Sequence, residues 1–310
     1  MDIYEAVFNE NRKLIWGLCY RMTGCAADAD DVVQETFVRA IARPPGDLSQ
    51  PWRPWLVRVA VNLSRDVLRR RRRSSYVGPW LPSPIATESE VVVPAYEAVG
   101  TGGSTEGRYD LLESVSMAFL TALEALTPQQ RAVLLLRDVF DYSVRETAAA
   151  LAASEGGVKV AHLRARRAMA AYECERAVPS GELRERTRRA LWKFLEGLAT
   201  ADFAAVEALL CEDVRATSDG GGDFYAALNP IEGASNVARF YAGLLRKFGS
   251  VGSSSFAEYN GLPAVLVRVD APRLARLAPC FLLQAQADAS GRIRRLYTVL
   301  APRKLTAVRF

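Results

Sequence analysis

The stretch PWLVRVAVNLSRDVLRRRRR, from Pro54 to Arg73, can satisfy both of its kinds of side chain only as a helix with two opposed faces. At about 3.6 residues per turn, Leu56, Val59, Ala60, Leu63 and Val67 fall on one side, and Arg58, Asn62, Arg65, Arg69 and Arg72 fall opposite. Such a helix needs a core behind it and an anion or water in front. Guanidinium groups neutralise phosphates, and the Asn62 amide carries the paired donor and acceptor that read a base edge. A solvated basic run ending a helix, favoured by the helix dipole, accounts for Arg69 to Arg73 as well. Trp52 and Trp55 just upstream, and Asn62 centred in the basic stripe, tip the reading towards nucleic acid.

A chain of 310 residues, half of them hydrophobic, can bury two ordinary cores or three small ones. Its formal charge of +5 is modest, so binding to a polyanion has to come from local patches. Cys19, Cys25, Cys174, Cys211 and Cys280 show no metal-ligand spacing and read as reduced thiols, and His162 is the one histidine. Histidine triads and zinc sites are therefore not expected, nor is any cofactor. The N-terminus MDIYEAVFNENRK lacks an apolar signal segment, and no stretch approaches the roughly 18 apolar residues of a membrane span. The expected location is cytoplasmic.

Residues 1–73 read as one helical domain interrupted by the Pro-rich loop Arg43 to Pro54. In CAADADDVVQETFVRAI the acidic start suits a helix N-terminus, Val33, Phe37, Ala40 and Ile41 form an apolar stripe, and Asp31, Gln34, Glu35 and Val38 face outward. Residues 74–108 have the composition of a linker. A solvated spacer gains nothing from a tryptophan, so Trp80, set with Leu81 between Pro79 and Pro82, is expected to dock.

Residues 109–176 are helical again. Thr127, Pro128 and Gln130 form a capping box, and Ser143 with Glu146 forms another. The segment YSVRETAAALAASEGGVKVAHLRARRAM then reads helix, turn, helix. On its second helix Val158, His162, Ala165 and Met169 share the inner side, and Lys159, Val160, Leu163, Arg164 and Arg167 the outer. An ordinary helical hairpin has the same pattern; a second basic helix in one chain favours DNA. Residues 182–310 change to α+β: two helices through FAAVEALLCED, a third at ASNVARFYAGLLRKF, and strands SSSFAEY, PAVLVRVD, CFLLQAQAD and RIRRLYTVL, with helices covering one face of an antiparallel sheet.

The acidic helix DADDVVQETF, the tryptophan-bearing loop, the basic helix and a distant LTPQQRAVLLLRDVF followed by helix-turn-helix together resemble bacterial RNA polymerase sigma factors of the extracytoplasmic-function group, over residues 1 to about 175. YVGPWLPSP in the linker, SDGGG at Ser218 to Gly222 and NPIEG at Asn229 to Gly233 resemble the subgroup with a fused SnoaL-like C-terminal domain. The fold implied is two all-α domains and an α+β domain with a curved, cone-shaped antiparallel sheet.

The resemblance implies roles residue by residue. Asp31, Gln34, Glu35 and Val38 would grip the β′ clamp helices of core polymerase, and the helix-turn-helix domain would meet the β flap. The loop Arg43 to Pro54 would receive a base flipped from the −10 element, a task suited to a shaped pocket with stacking partners. Asn62 and Arg65 would lie on that element, with Arg69 and Arg72 on phosphates. Lys159, Val160, Leu163, Arg164 and Arg167 would read the −35 element in the major groove.

The C-terminal domain would modulate this activity in cis, through Trp80, Leu81 and Pro82 of the linker and Asp219, Gly220, Gly221, Gly222, Asn229 and Pro230. Relatives of the SnoaL-like fold use an aspartate as general base; Asp219 is the candidate, or else it starts the glycine turn. No catalytic residue is assigned. Ser83 stands where the subgroup has an acid, Asp223 where a lysine is usual, and His162 where an apolar residue is common. The alternative class is a DNA-binding regulator fused to a small-ligand-binding or isomerase-like domain.

Overall fold

The computed structural model describes residues 3–88, 108–248, 252–269 and 276–310. The rest of the expected linker, residues 89–107, lies outside the described residues, as does Asp270 at the end of the expected strand PAVLVRVD. The chain divides into two compact units. One is Met1–Ser75 with Ser89–Arg176; the other is Tyr76–Glu88 with Ala177–Phe310.

In the first unit α1 (Ile3–Thr23), α2 (Ala26–Ala42) and α3 (Arg53–Arg73) pack mutually. Pro54 sits in the first turn of α3, where a missing N–H costs nothing. The buried side of α3 is Leu56, Val57, Ala60, Val61, Ser64 and Leu68, so the apolar face is turned from the expected one, and Val59, Leu63 and Val67 are only half-buried. The cause is a second neighbour: α3 packs on α5 (Pro128–Asp138) and α6 (Val144–Leu151) as well as on α1 and α2. On α2 the stripe is Ala29, Val32, Thr36, Phe37 and Ala40, and Ile41 is 61% exposed. Thr36 can be buried because its hydroxyl donates to Val32 O at 2.7 Å.

The unit is completed by α4 (Met117–Ala122), α7 (Glu155–Ala168) and α8 (Ala170–Cys174). Both expected capping boxes are present, Thr127 with Gln130 starting α5 and Ser143 with Glu146 starting α6. The helix-turn-helix is α6 and α7, turned at Ala152 in the left-handed region.

The second unit sets α9 (Gly181–Ala199), α10 (Phe203–Ala208) and α11 (Ala234–Phe248) against one six-stranded sheet. Its strands are β1 (Leu210–Asp219), β2 (Ile231–Glu232), β3 (Ser253–Tyr259), β4 (Leu262–Arg268), β5 (Cys280–Ala287) and β6 (Ile293–Val299), in the order β2-β1-β6-β5-β4-β3. Leu191, Phe194, Val206, Val237 and Tyr241 from the helices meet Val214, Ala216, Val265, Leu283 and Leu296 from the sheet.

Two features depart from expectation. FAAVEALLCED is helical only to Ala208, and β1 follows it; a register shift between Leu210 and Arg215 breaks the period-two alternation that identifies strands. The sheet is also mixed, because β1 and β6 pair in parallel while the other pairs are antiparallel. Among the described residues no helix is long and apolar enough to cross a membrane.

Candidate nucleic-acid interface and linker clasp

On α2, Asp31, Gln34, Glu35 and Val38 are all exposed on one face. Ile41 extends that face, a position the expected core stripe had claimed. With Val38 at 52% exposure, the surface is acidic with exposed apolar side chains, a composition suited to a protein partner and not to a polyanion.

On α3, Arg58, Asn62, Arg69 and Arg72 are exposed and Arg65 is half-buried. Asn62 Oδ1 accepts from Arg65 Nη1 at 3.1 Å, and Arg69 pairs with Asp66 at 2.9 Å. Three arginines of the helix, Arg58, Arg71 and Arg72, also reach the second half of the same unit. Arg58 donates to Ala149 O at 2.8 Å, and Arg72 donates to Leu126 O. Arg71 donates to Thr23 O at 2.8 Å and to both oxygens of Glu124. Arg131, from α5, reaches Met22 O at 2.9 Å and the same Glu124 carboxylate at 2.7 Å. Burial by itself would raise the Glu124 carboxyl, but the charges of Arg131 and Arg71 prevail and hold it below the ordinary glutamate range.

The two upstream tryptophans part company. Trp52 is core, edge-on to Tyr4 at 5.8 Å, whereas Trp55 lines a cleft of about 880 Å³ with Pro45, Pro51, Phe140 and Tyr142. Of the two, Trp55 is the one that faces an open cleft.

On α7 and its C-cap residue Met169 the inner side is Val158, Ala165 and Met169, fully buried, and His162, whose Nε2 lies 2.8 Å from Asp138 Oδ1 on α5. The polar residue at an apolar position is thus answered by an acid on the supporting helix. Lys159, Val160, Leu163, Arg164 and Arg167 are all exposed.

In the second unit the linker is held against the C-terminal domain. Asp219, at the end of β1, is wholly buried. Its oxygens accept from Tyr76 Oη at 2.6 Å, Leu81 N–H at 2.7 Å, Gly221 N–H at 3.0 Å and the Lys304 ammonium. Leu81 and Pro82 are buried and Trp80 is half-buried, its ring centroid 4.1 Å from Lys304 Nζ.

Further along, Ile85 N–H donates to Asn260 Oδ1 at 3.0 Å while Asn260 N–H donates to Ile85 O at 2.9 Å, and Thr87 N–H donates to Glu258 O. Glycine is required beside Asp219. Gly220 leaves no room for a Cβ beside Phe224 O, and Gly221 has φ +63° with Ala301 closing on it. Gly222 lies against Val77. The second loop approaches the linker one or two residues early, through Ala227 and Leu228 beside Gly78; Asn229 is exposed and Pro230 half-buried.

Strand alternation puts Asp219 on the sheet face opposite Val214 and Ala216, away from the helix-side core. With four donors on it, this carboxylate is built as an anchor. Tyr76 and Lys304 were not legible as members of the site, since Lys304 lies 85 residues from Asp219 in sequence.

A three-helix module with an outward acidic face, a basic helix, and a helix-turn-helix with an open basic outer face define a promoter-recognition protein. Residues 7–74 match the family Sigma-70 region 2, and residues 116–169 match Sigma-70, region 4. The ECF RNA polymerase sigma factor SigJ of Mycobacterium tuberculosis is 31% identical, over 99% of this chain and 94% of that protein. The probable ECF sigma factor SigI of the same species is 26% identical over 99% and 97%. The crystal structure of M. tuberculosis SigJ superimposes with a TM-score of 0.72 at 28% identity, covering 97% of both chains.

The chain belongs to the extracytoplasmic-function RNA polymerase sigma factors, with a SnoaL-like domain fused at its C-terminal side. It directs core RNA polymerase to promoters through their −35 and −10 elements.

Proposed function

We propose that promoter output from this chain is set in cis by the C-terminal domain, which captures the linker at Asp219. The observation that carries the proposal is the buried carboxylate holding Tyr76 and Leu81 together. Capture removes part of the linker from the reach between the two DNA-reading helices, so it bears on how they can be spaced on a promoter. In the same proposal the outer face of α2 meets the β′ clamp helices through Asp31, Gln34, Glu35 and Val38, joined by Ile41. Asn62, Arg65, Arg69 and Arg72 lie on the −10 element, and Lys159, Val160, Leu163, Arg164 and Arg167 on the −35 element.

The protein works in the cytoplasm without catalysis of its own. The geometry of Asp219 favours that reading over an isomerase-like one, since a general base needs a free lone pair facing a substrate. Run-off transcription with core polymerase tests the proposal. The full chain, its Asp219→Asn variant and a chain shortened to residues 1–180 should differ in output at the cognate promoter. Equal output from all three would sink control in cis.

A further inference from the structure

Ala301 to Leu305 closes over the linker clasp from the C-terminal side of the domain. A single 3-10 turn, Pro302–Lys304, sends the Lys304 side chain inward, where it is 5% exposed. A lysine buried this far is tolerated only where its charge is answered. Among the groups that answer it are the Asp219 carboxylate, the Leu81 carbonyl, the Trp80 ring at 4.1 Å and the Tyr76 ring at 4.9 Å. Aromatic faces attract a desolvated cation strongly. Three of these groups belong to the linker, and the other is the carboxylate that also holds the linker.

We infer that Lys304 is a positioning residue for the linker, the cation around which Tyr76, Trp80 and Leu81 assemble. Capture then depends on the segment Ala301 to Leu305 being in place. The inference rests on the proposal that linker capture governs output. A lesser role, counter-ion to Asp219 alone, leads to a different expectation. If Lys304 only balanced that charge, neutralising both residues together would restore the clasp, since an amide at position 219 can still accept from Leu81 N–H. If Lys304 organises the linker, the neutral pair takes the cation away from the Trp80 ring and the Leu81 carbonyl.

Amide hydrogen exchange on the full chain separates the two. In Lys304→Met the Leu81 amide should exchange at least tenfold faster, with the amides of β5 and β6 unchanged, and the fast exchange should persist in Asp219→Asn/Lys304→Met. Exchange at Leu81 as slow as in the parent, or slow exchange restored in the double variant, overturns the inference. Should Lys304→Met fail to fold, the double variant decides, because it buries no lone charge. Run-off transcription with the same proteins reads the other half. Faster exchange with unchanged output overturns control in cis and leaves the role of Lys304 standing.

Discussion

Two basic helices in one chain, α3 and α7, have similar charge and opposite circumstances. The outward residues of α7 are exposed, and no ion pair among the described residues reaches Lys159, Arg164 or Arg167. On α3, Arg58, Arg71 and Arg72 are given to the other half of their own unit. What separates them is the supply of helix-end carbonyls within reach. The last carbonyls of a helix lack intrahelical partners and carry the negative end of its dipole. Arg71 and Arg131 meet Thr23 O and Met22 O at the end of α1, and Arg58 meets Ala149 O near the end of α6. In the free chain the outer face of α7 is open, while that of α3 is partly covered. On the proposed −10 contact, Arg72 would exchange the Leu126 carbonyl for a phosphate.

The largest effect that sharpens this contrast is on the covered side. Arg131 is 2% exposed, and Arg131→Met leaves Glu124 with Arg71 alone and the Met22 carbonyl without that donor. Each hydrogen bond lost from a buried charged donor costs about 1.5–3 kcal/mol. Urea unfolding of the first unit should show it, with the C-terminal domain unaffected.

Glu124 adds a pH handle on the same network. Its folded pKa lies below the unfolded value of about 4.3, so its contribution is complete above that value and is lost as pH falls through the folded one. Urea midpoints measured from pH 6 to pH 3 should therefore fall more steeply in the parent than in Glu124→Gln. Equal slopes would break the claim that these two arginines stabilise the charged carboxylate.

The next effect is on DNA. With core polymerase bound, Arg164→Ala should cost about 1–3 kcal/mol and relax preference at one −35 position. Arg72→Ala should weaken all promoters alike and lower the salt slope by about 1. In the free chain Arg72→Ala should leave binding to a −35 duplex unchanged, as a filter-binding titration would report. Loss of that binding would erase the distinction between an open helix and a covered one.

What was legible in the sequence was whatever a few neighbouring residues decide among themselves. The caps at Thr127 and Ser143 are three-residue signals, and both form. The helical spacing that put His162 inward held, and it needed only Asp138 to receive it. Thr36 broke the stripe on α2 because its hydroxyl bonds to its own helix, which a polar-outward rule does not foresee. Within Arg69 to Arg73 nothing marks Arg71 as structural, since the carbonyl and carboxylate it meets come from Thr23 and Glu124. Lys304 was hidden for the same reason, at 223 residues from Leu81. The strand β1 was lost to a local irregularity that mixes its two faces.

The smallest predicted effect tests the open side. Ser143 Oγ accepts from Glu146 N–H at 3.1 Å, and the Glu146 carboxylate accepts from Ser143 N–H at 2.7 Å, fixing the start of the helix beneath α7. The Glu146 carboxyl sits below the ordinary range, through hydrogen bonding to the Ser143 side chain and then to the Ser143 N–H. Ser143→Ala removes one half of the box and should cost about 1 kcal/mol of stability. Because α6 supports α7, and also supplies the Ala149 carbonyl to Arg58, the variant can move either helix. If only −35 binding weakens, the cap serves the reader above it. If promoter opening at the −10 element improves instead, α6 matters more as the carbonyl donor that keeps α3 closed. Permanganate footprinting of the melted strand, run beside −35 duplex binding, distinguishes the two.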